Sequence, residues 1–292
     1  MDRPFDTIVL IHGLWMTALS WENWVKRYQG EGFRVIARSW PGMEGDIEEL
    51  RNDPSRVAGL GLTEIVDHYA AIIEGLEHQP LIMGHSFGGL ITQILLDRGY
   101  GAAGVAIGSA AAKGVLLLPL STVKVVAPIV ANPLNAHRAM PLTPEQFHYA
   151  FTNTLSEEES LAAYRRYAVP GPDQLLFQVS FANFNPHSAT AVGFDNDARA
   201  PLLMIAGEYD HISPPAVVEA NAKLYRVAQE ATTEYMMFPG RTHYILGQPG
   251  WEQVADFALE WALRNASTTD AETRPSDDPQ SATADQHAGP TA

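Results

Sequence analysis

The chain has 292 residues, 46% of them hydrophobic, no cysteine and a formal net charge of −15. That length and apolar share suffice for one large core or two small ones, while the absence of cysteine removes disulfides, thiol nucleophiles and cysteine zinc sites and fits a reducing compartment. The negative balance repels phosphate backbones and anionic lipid surfaces, which argues against nucleic acid or a membrane as a partner.

The N-terminal Met1–Asp6 leads straight into a short apolar run, Thr7–Ile11, which reads as a first strand. The run is too short for a signal-peptide core and has no small-residue cleavage site, so a cytoplasmic protein is expected. Trp21, Trp24, Val25 and Tyr28 then recur at helical spacing, and Arg34–Ala37 reads as a second strand. Ile65, Val66, Tyr69, Ile72, Ile73 and Leu76 form a longer helical stripe. Leu81–Met83 is the third strand, Gly89–Leu96 a helix and Gly104–Ile107 the fourth strand. After a long interruption come Leu202–Ala206, a helical stripe from Val217 to Tyr225 broken by Asn221, and the strand Glu234–Phe238. A last stripe joins Trp251, Val254, Phe257, Ala258 and Trp261.

Strands and helices in alternation, with strands apolar on both faces, predict an α/β fold: a mostly parallel central sheet of about six strands with helices on both faces. Right-handed crossovers bring all strand C-terminal ends to one rim, where ligands bind such sheets.

Residues 116–199 break the rhythm. They hold no clear strand, two capping boxes (Thr143-Pro144-Glu145-Gln146 and Ser156-Glu157-Glu158-Glu159) and many aromatics, among them Phe147, Tyr149 and Phe151. The expected organisation is a core in two parts, 1–115 and 200–265, with a helical lid, 116–199, inserted over the strand ends. The last 27 residues, 266–292, have no Val, Ile, Leu, Met, Phe, Trp or Tyr, and are expected to form a disordered acidic tail.

Gly84-His85-Ser86-Phe87-Gly88 lies between the third strand and the helix after it. The pentapeptide is short, and a glycine-rich turn with a capping serine would look the same in isolation; its setting at a strand-to-helix turn is what distinguishes it. A serine there can be held in a strained conformation with its hydroxyl above the sheet. A hydroxyl is a weak nucleophile and needs a base, an orienting group for the base, and donors for an oxyanion. His243 follows the last strand and suits the base. Asp210 follows Leu202–Ala206 and suits the orienting acid, with Glu208 as its competitor. His12-Gly13-Leu14 follows the first strand, so the N–H groups of Leu14 and Phe87 can form a two-donor oxyanion hole. Trp15 and Met16, with His12, are placed at the substrate pocket. His12 is better read as tying its loop down than as a catalyst, and His85 as packing beside the turn. His211 has no assigned role.

On these residues the chain resembles the α/β-hydrolase fold superfamily over residues 5–264. The points of resemblance are His12-Gly13, Gly84-His85-Ser86-Phe87-Gly88-Gly89, Gly207-Glu208-Tyr209-Asp210 and Arg241-Thr242-His243, in the order Ser…Asp…His. The resemblance implies an acyl-enzyme mechanism with no metal and no cofactor, and a helical cap between the sixth and seventh strands of that family, where 116–199 falls. The family often starts with two antiparallel strands; too few residues precede Thr7 for them, so a compact six-stranded sheet is expected, similar to plant-type methylesterases and hydroxynitrile lyases.

Fold alone does not fix the reaction. A dehalogenase or epoxide hydrolase of this fold would need an aspartate at position 86. The expected partner is a small, largely apolar carboxylic ester, thioester or lactone. A C–C lyase of the hydroxynitrile-lyase type using the same residues, and a ligand receptor with a vestigial triad, are the alternatives. Oligomeric state is not legible in the sequence.

Overall fold

A computed structural model describes residues 5–267. The tail expected from 266 onward lies, apart from its first two residues, outside the described residues.

Six strands form one parallel sheet: β1 (Thr7–Ile11), β2 (Arg34–Ala37), β3 (Leu81–His85), β4 (Ala103–Ile107), β7 (Leu202–Gly207) and β8 (Thr233–Phe238), in the order β2-β1-β3-β4-β7-β8. Two further strands, β5 (Ala139–Met140) and β6 (Gly171–Pro172), pair antiparallel as a small separate ribbon. The parallel α/β architecture and its six strands are as the sequence predicts, each main strand within two residues of its expected bounds.

Side chains alternate across the sheet. Ile8, Leu10, Leu81, Met83, Val105 and Ile107 point to one face, where they meet Trp24 and Tyr28 of α1 (Glu22–Gly30) and Val254, Ala258 and Trp261 of α10 (Trp251–Asn265). Val9, Ile11 and Ile82 point to the other, against Ile65, Tyr69 and Ile73 of α3 (Leu62–Glu74) and Leu90, Ile91 and Leu95 of α4 (Phe87–Asp97). On that second face, Leu202, Met204 and Ala206 pack with Val218 of α9 (Pro215–Leu224). The expectation that every strand is buried on both faces fails at the two edges. β2 and β8 are only partly covered, and Met236 and Met237 of β8 are exposed, because an edge strand has one neighbour and the flanking helices do not reach past it.

A short helix α2 (Ile47–Asn52), capped by Asp46, lies between β2 and α3. Between β4 and β7 the chain makes α5 (Leu120–Val130), α6 (Pro144–Phe151), α7 (Glu157–Tyr167) and α8 (Gln174–Ser180), together with the ribbon. Both capping boxes form, Thr143 with Gln146 and Ser156 with Glu159. This segment sits on the strand C-terminal ends. Trp15 Nε1 donates to the Met140 carbonyl (3.2 Å), Val169 N–H to the Trp15 carbonyl (3.0 Å), and Tyr244 N–H to the Phe151 carbonyl (2.9 Å). Among the described residues no helix is long and apolar enough to cross a membrane.

Candidate active site

Ser86 stands between β3 and α4 at φ 57° and ψ −118°. Only two non-glycine residues among those described have positive φ, and the other is Trp15 at 64°. Such a conformation costs about 1–3 kcal/mol and persists only where the surroundings enforce it. Here they do. A Cβ on Gly84 would overlap the Gly88 carbonyl, and one on Gly88 would overlap the Ile11 carbonyl, so both glycines permit the close turn between strand, helix and β1.

The turn after β1 lies against the nucleophile candidate. A Cβ on Gly13 would meet the Ser86 Cβ at 2.7 Å. The N–H groups of Leu14 and Phe87 donate to no group among the described residues. His12 fixes this turn. Its Nδ1–H donates to the Gly13 carbonyl (2.9 Å), its Nε2 accepts from Trp40 N–H (3.1 Å), and its ring stacks on Trp40 at 4.6 Å. Burial lowers its pKa to about 4, so the ring is neutral with both nitrogens in use. That is the loop-tying role, and it leaves no polar ring atom for a substrate. Trp15 and Met16 are buried in the same cluster, with the Trp15 ring edge-on to Phe151 of α6 at 6.3 Å.

Asp210 follows β7. Its Oδ1 accepts from Ile212 and Ser213 N–H (2.8 and 2.7 Å), and its Oδ2 accepts from His243 Nδ1–H at 2.6 Å. Glu208 instead accepts from Gly240 N–H (2.8 Å) and braces the loop outside, which resolves the competition between the two carboxylates in favour of Asp210 as the partner of His243. His211 turns to α6, its Nδ1 bonded to the Tyr149 carbonyl (2.8 Å).

The loop after β8 is folded on itself by Gln248. Its Oε1 accepts from Thr242 N–H and the Thr242 hydroxyl (2.9 and 3.1 Å), and its Nε2 donates to the Gly240 carbonyl (2.7 Å). With Nδ1 held by Asp210, His243 Nε2 is buried and has no hydrogen-bond partner. The ring lies edge-on to Phe151 at 4.9 Å.

At Gly108 the Ser86 backbone comes up against the Asp210 and His243 side chains. Ser86 N–H donates to the Ile107 carbonyl (2.9 Å), and Ala110 N–H donates to the Ser86 carbonyl (3.0 Å), so the Ser86 backbone brackets Gly108. A Cβ on Gly108 would lie 3.1 Å from Asp210 Oδ2 and 3.4 Å from His243 Nδ1. His85 adds a second tie: its Nε2–H donates to the His243 carbonyl (2.9 Å), with ring centroids 4.6 Å apart. Burial, then the neighbouring His243, lowers the His85 pKa well below 6.5 and keeps it neutral. Sequence reasoning missed Gly108 and Gln248, and named Phe151 only as one of the aromatics of 116–199. A glycine directly after β4 was the one visible signal; the other two act through contacts between segments far apart in the chain.

The alpha/beta hydrolase family matches residues 8–257. This chain belongs to that family. No curated protein sequence matches it. Among solved structures, the monoacylglycerol lipase of Paleococcus ferrophilus is 21% identical, with a TM-score of 0.60 over 89% of this chain and 95% of that one. An extracellular alpha/beta-hydrolase from a Paenibacillus species is 18% identical, with a TM-score of 0.64 over 87% and 98%. The methylesterase MES16 of Arabidopsis is 11% identical, with a TM-score of 0.61 over 87% and 98%. At these identities the likeness is one of fold.

Proposed function

We propose that this alpha/beta hydrolase cleaves a small, largely apolar carboxylic ester through an acyl-enzyme on Ser86. The observation that carries the reading is the buried, unpartnered Nε2 of an Asp210-held His243, packed around Gly108 with a serine forced to positive φ. An unpaired buried nitrogen carries a desolvation cost, and a catalytic role is a reason for keeping it.

In this mechanism Ser86 Oγ attacks the ester carbonyl while His243 Nε2 takes its proton, and the Asp210 carboxylate stabilises the imidazolium. The N–H groups of Leu14 and Phe87 hold the oxyanion, and α4 begins at Phe87 with its first N–H groups aimed at the same point. Collapse of the tetrahedral intermediate expels the alcohol, which leaves with the proton from His243. Water, deprotonated by the same nitrogen, then attacks the acyl carbon and releases the acid and Ser86. His243 Nε2 makes no hydrogen bond to Ser86 in this structure, and the mechanism requires the two to come within hydrogen-bond reach when substrate binds.

The segment between β4 and β7 serves as the lid. Trp15, Met16, Phe87, Phe147 and Phe151 belong to one apolar cluster that reaches His243 through Phe151, which favours an apolar acyl or alcohol portion. The monoacylglycerol lipase and methylesterase of this fold are named for ester substrates, which supports the same bond type here.

The test is turnover of p-nitrophenyl esters of increasing acyl length, with fluorophosphonate labelling, on wild type and Ser86→Ala. The expected result is labelling and turnover by wild type, and a loss of at least about 10³-fold with no labelling in the variant. Equal turnover by both proteins removes Ser86 from the mechanism.

A further inference from the structure

Of the twelve large apolar side chains open to solvent among the described residues, seven lie between β4 and β7, Leu134 and six that fall on two neighbouring strips. Leu116, Leu118, Leu120 and Phe184 are 83%, 71%, 87% and 86% exposed, with Leu117 and Phe181 half exposed, and all six lie between β4 and β7. They belong to two strips of chain that are bonded together. Asn183 Oδ1 accepts from Gly114 N–H (2.7 Å) and its Nδ2 donates to the Val115 carbonyl (2.9 Å). Lys113 Nζ donates to the Asn185 and Pro186 carbonyls (2.8 and 3.0 Å). The leucine run and the two phenylalanines therefore share one face. Soluble surfaces seldom gather so many large apolar groups without a use for them.

The stretches that carry this face have a charge of opposite sign to the chain's. The chain has 34 acidic residues, yet none falls between residues 98 and 144 or between 174 and 194, the stretches that carry the face. Those stretches do carry Lys113, Lys124 and Arg138. Neither lysine is in an ion pair among the described residues; Lys124, on the exposed side of α5, stands over the Tyr149 ring at 3.8 Å. The net charge of −15 opposes approach to an anionic lipid surface as a whole, whereas the two stretches that carry this face hold no carboxylate of their own.

Leucine and phenylalanine side chains beside lysines that have no carboxylate partner suit the boundary between lipid headgroups and acyl chains, where the apolar groups enter and the ammonium groups face the phosphates. A second copy of the chain fits less well. A two-fold contact through this face would set the same cations against one another.

We propose that this face docks the protein on an anionic lipid–water interface. As a consequence that rests on the proposed function, the ester is then one dissolved in that interface. Ser86 is buried at the core rim beneath the same segment, so docking brings the substrate phase to the lid that covers the nucleophile.

Flotation of the full chain with vesicles of phosphatidylcholine, and of phosphatidylcholine mixed with phosphatidylglycerol, tests the docking. Wild type and Ser86→Ala are both expected to float with the mixed vesicles, so failure of the catalytic reading leaves this result in place. Combining Leu116→Ser, Leu118→Ser, Leu120→Ser and Phe184→Ser should lower the floated fraction at least about tenfold. Turnover of a water-soluble short ester by that variant should stay at the wild-type level and reports that it folds. Lys124→Gln, or high salt, should weaken binding to the mixed vesicles alone. Wild type remaining in the dense layer with both vesicles overturns the proposal. So does equal flotation of the four-residue variant, or light scattering that shows a dimer which those substitutions dissolve.

Discussion

Two carboxylates follow β7, and their different neighbours give them different work. Asp210 is buried, with one oxygen held by two N–H groups and the other on His243, whereas the Glu208 carboxylate braces Gly240 in the loop outside. Asp210→Asn keeps the shape but offers an amide where His243 needs an acceptor, so kcat should fall on the order of 10³–10⁴-fold. Glu208→Gln should stay within roughly threefold of wild type, since an exposed bond of this kind contributes little. Steady-state kinetics on the two variants separate them, and a reversal of their order would exchange the roles. His85 acts at one remove, as a positioning residue: its Nε2–H holds the backbone that carries the base. His85→Phe should leave the His243 carbonyl unpaired and lower kcat roughly tenfold with KM little changed, while His85→Gln, which still has an N–H to offer, should recover most of the loss. Ser86, Asp210 and His243 could be singled out in the sequence because each follows an apolar run at a fixed place in the α/β alternation. His85's tie to residue 243 was not legible, because it joins residues 158 apart in the chain.

At the scale of elements, the central strands were readable because each is a short apolar run bounded by polar turns. β5 and β6, of two residues each, are too short to show any period and pair only because the chain returns to the Trp15 turn. The polar break at Asn221 in the α9 stripe is a buried link rather than a flaw. Its side chain accepts from Ala112 N–H (2.9 Å) and donates to Gln93 Oε1 (2.8 Å), while Gln93 in turn donates to the Ser109 hydroxyl (2.8 Å). Helix starts between β4 and β7 were legible only where a capping box marks them, at α6 and α7. Thr143 and Ser156 accept from the third N–H of their helices (3.2 Å each), and the Gln146 and Glu159 side chains return the bond. Thr143→Ala and Ser156→Ala should each cost about 1 kcal/mol, lowering Tm by about 2 °C in thermal unfolding followed by circular dichroism. Because α6 supplies Phe151 beside His243, Thr143→Ala should also raise KM for short esters more than Ser156→Ala does. Equal KM values would mean that the start of α6 does not set the position of that ring.

For the whole molecule, stability against pH follows from groups that burial holds in the neutral form. His12 is lowered to about 4 and His85 well below its ordinary 6.5, in each case chiefly by burial. Below pH 6.5 the unfolded chain protonates both while the folded protein does not, so the unfolded state binds more protons and stability falls as pH drops from 6.5 toward 4. For His12 alone the loss is about 3 kcal/mol at pH 4. Asp173 works in the opposite direction. It is buried, one of its oxygens has no partner, and its pKa is raised to about 6, mainly by burial. Between its ordinary 3.8 and 6 the folded state binds the extra proton, so its ionisation penalises folding above pH 6 and fades as the solution is acidified. Asp173→Asn keeps an oxygen for the Met140 N–H and removes the charge. Its Tm should exceed that of wild type at pH 7, with the gain shrinking to nothing near pH 4. The variant's Tm should then fall more steeply than wild type's between pH 6.5 and 4, because the two histidines no longer have an opposing group. A parallel pair of Tm-against-pH curves would show instead that Asp173 is ionised at no cost, and that the ribbon beside it is wetter than its burial implies.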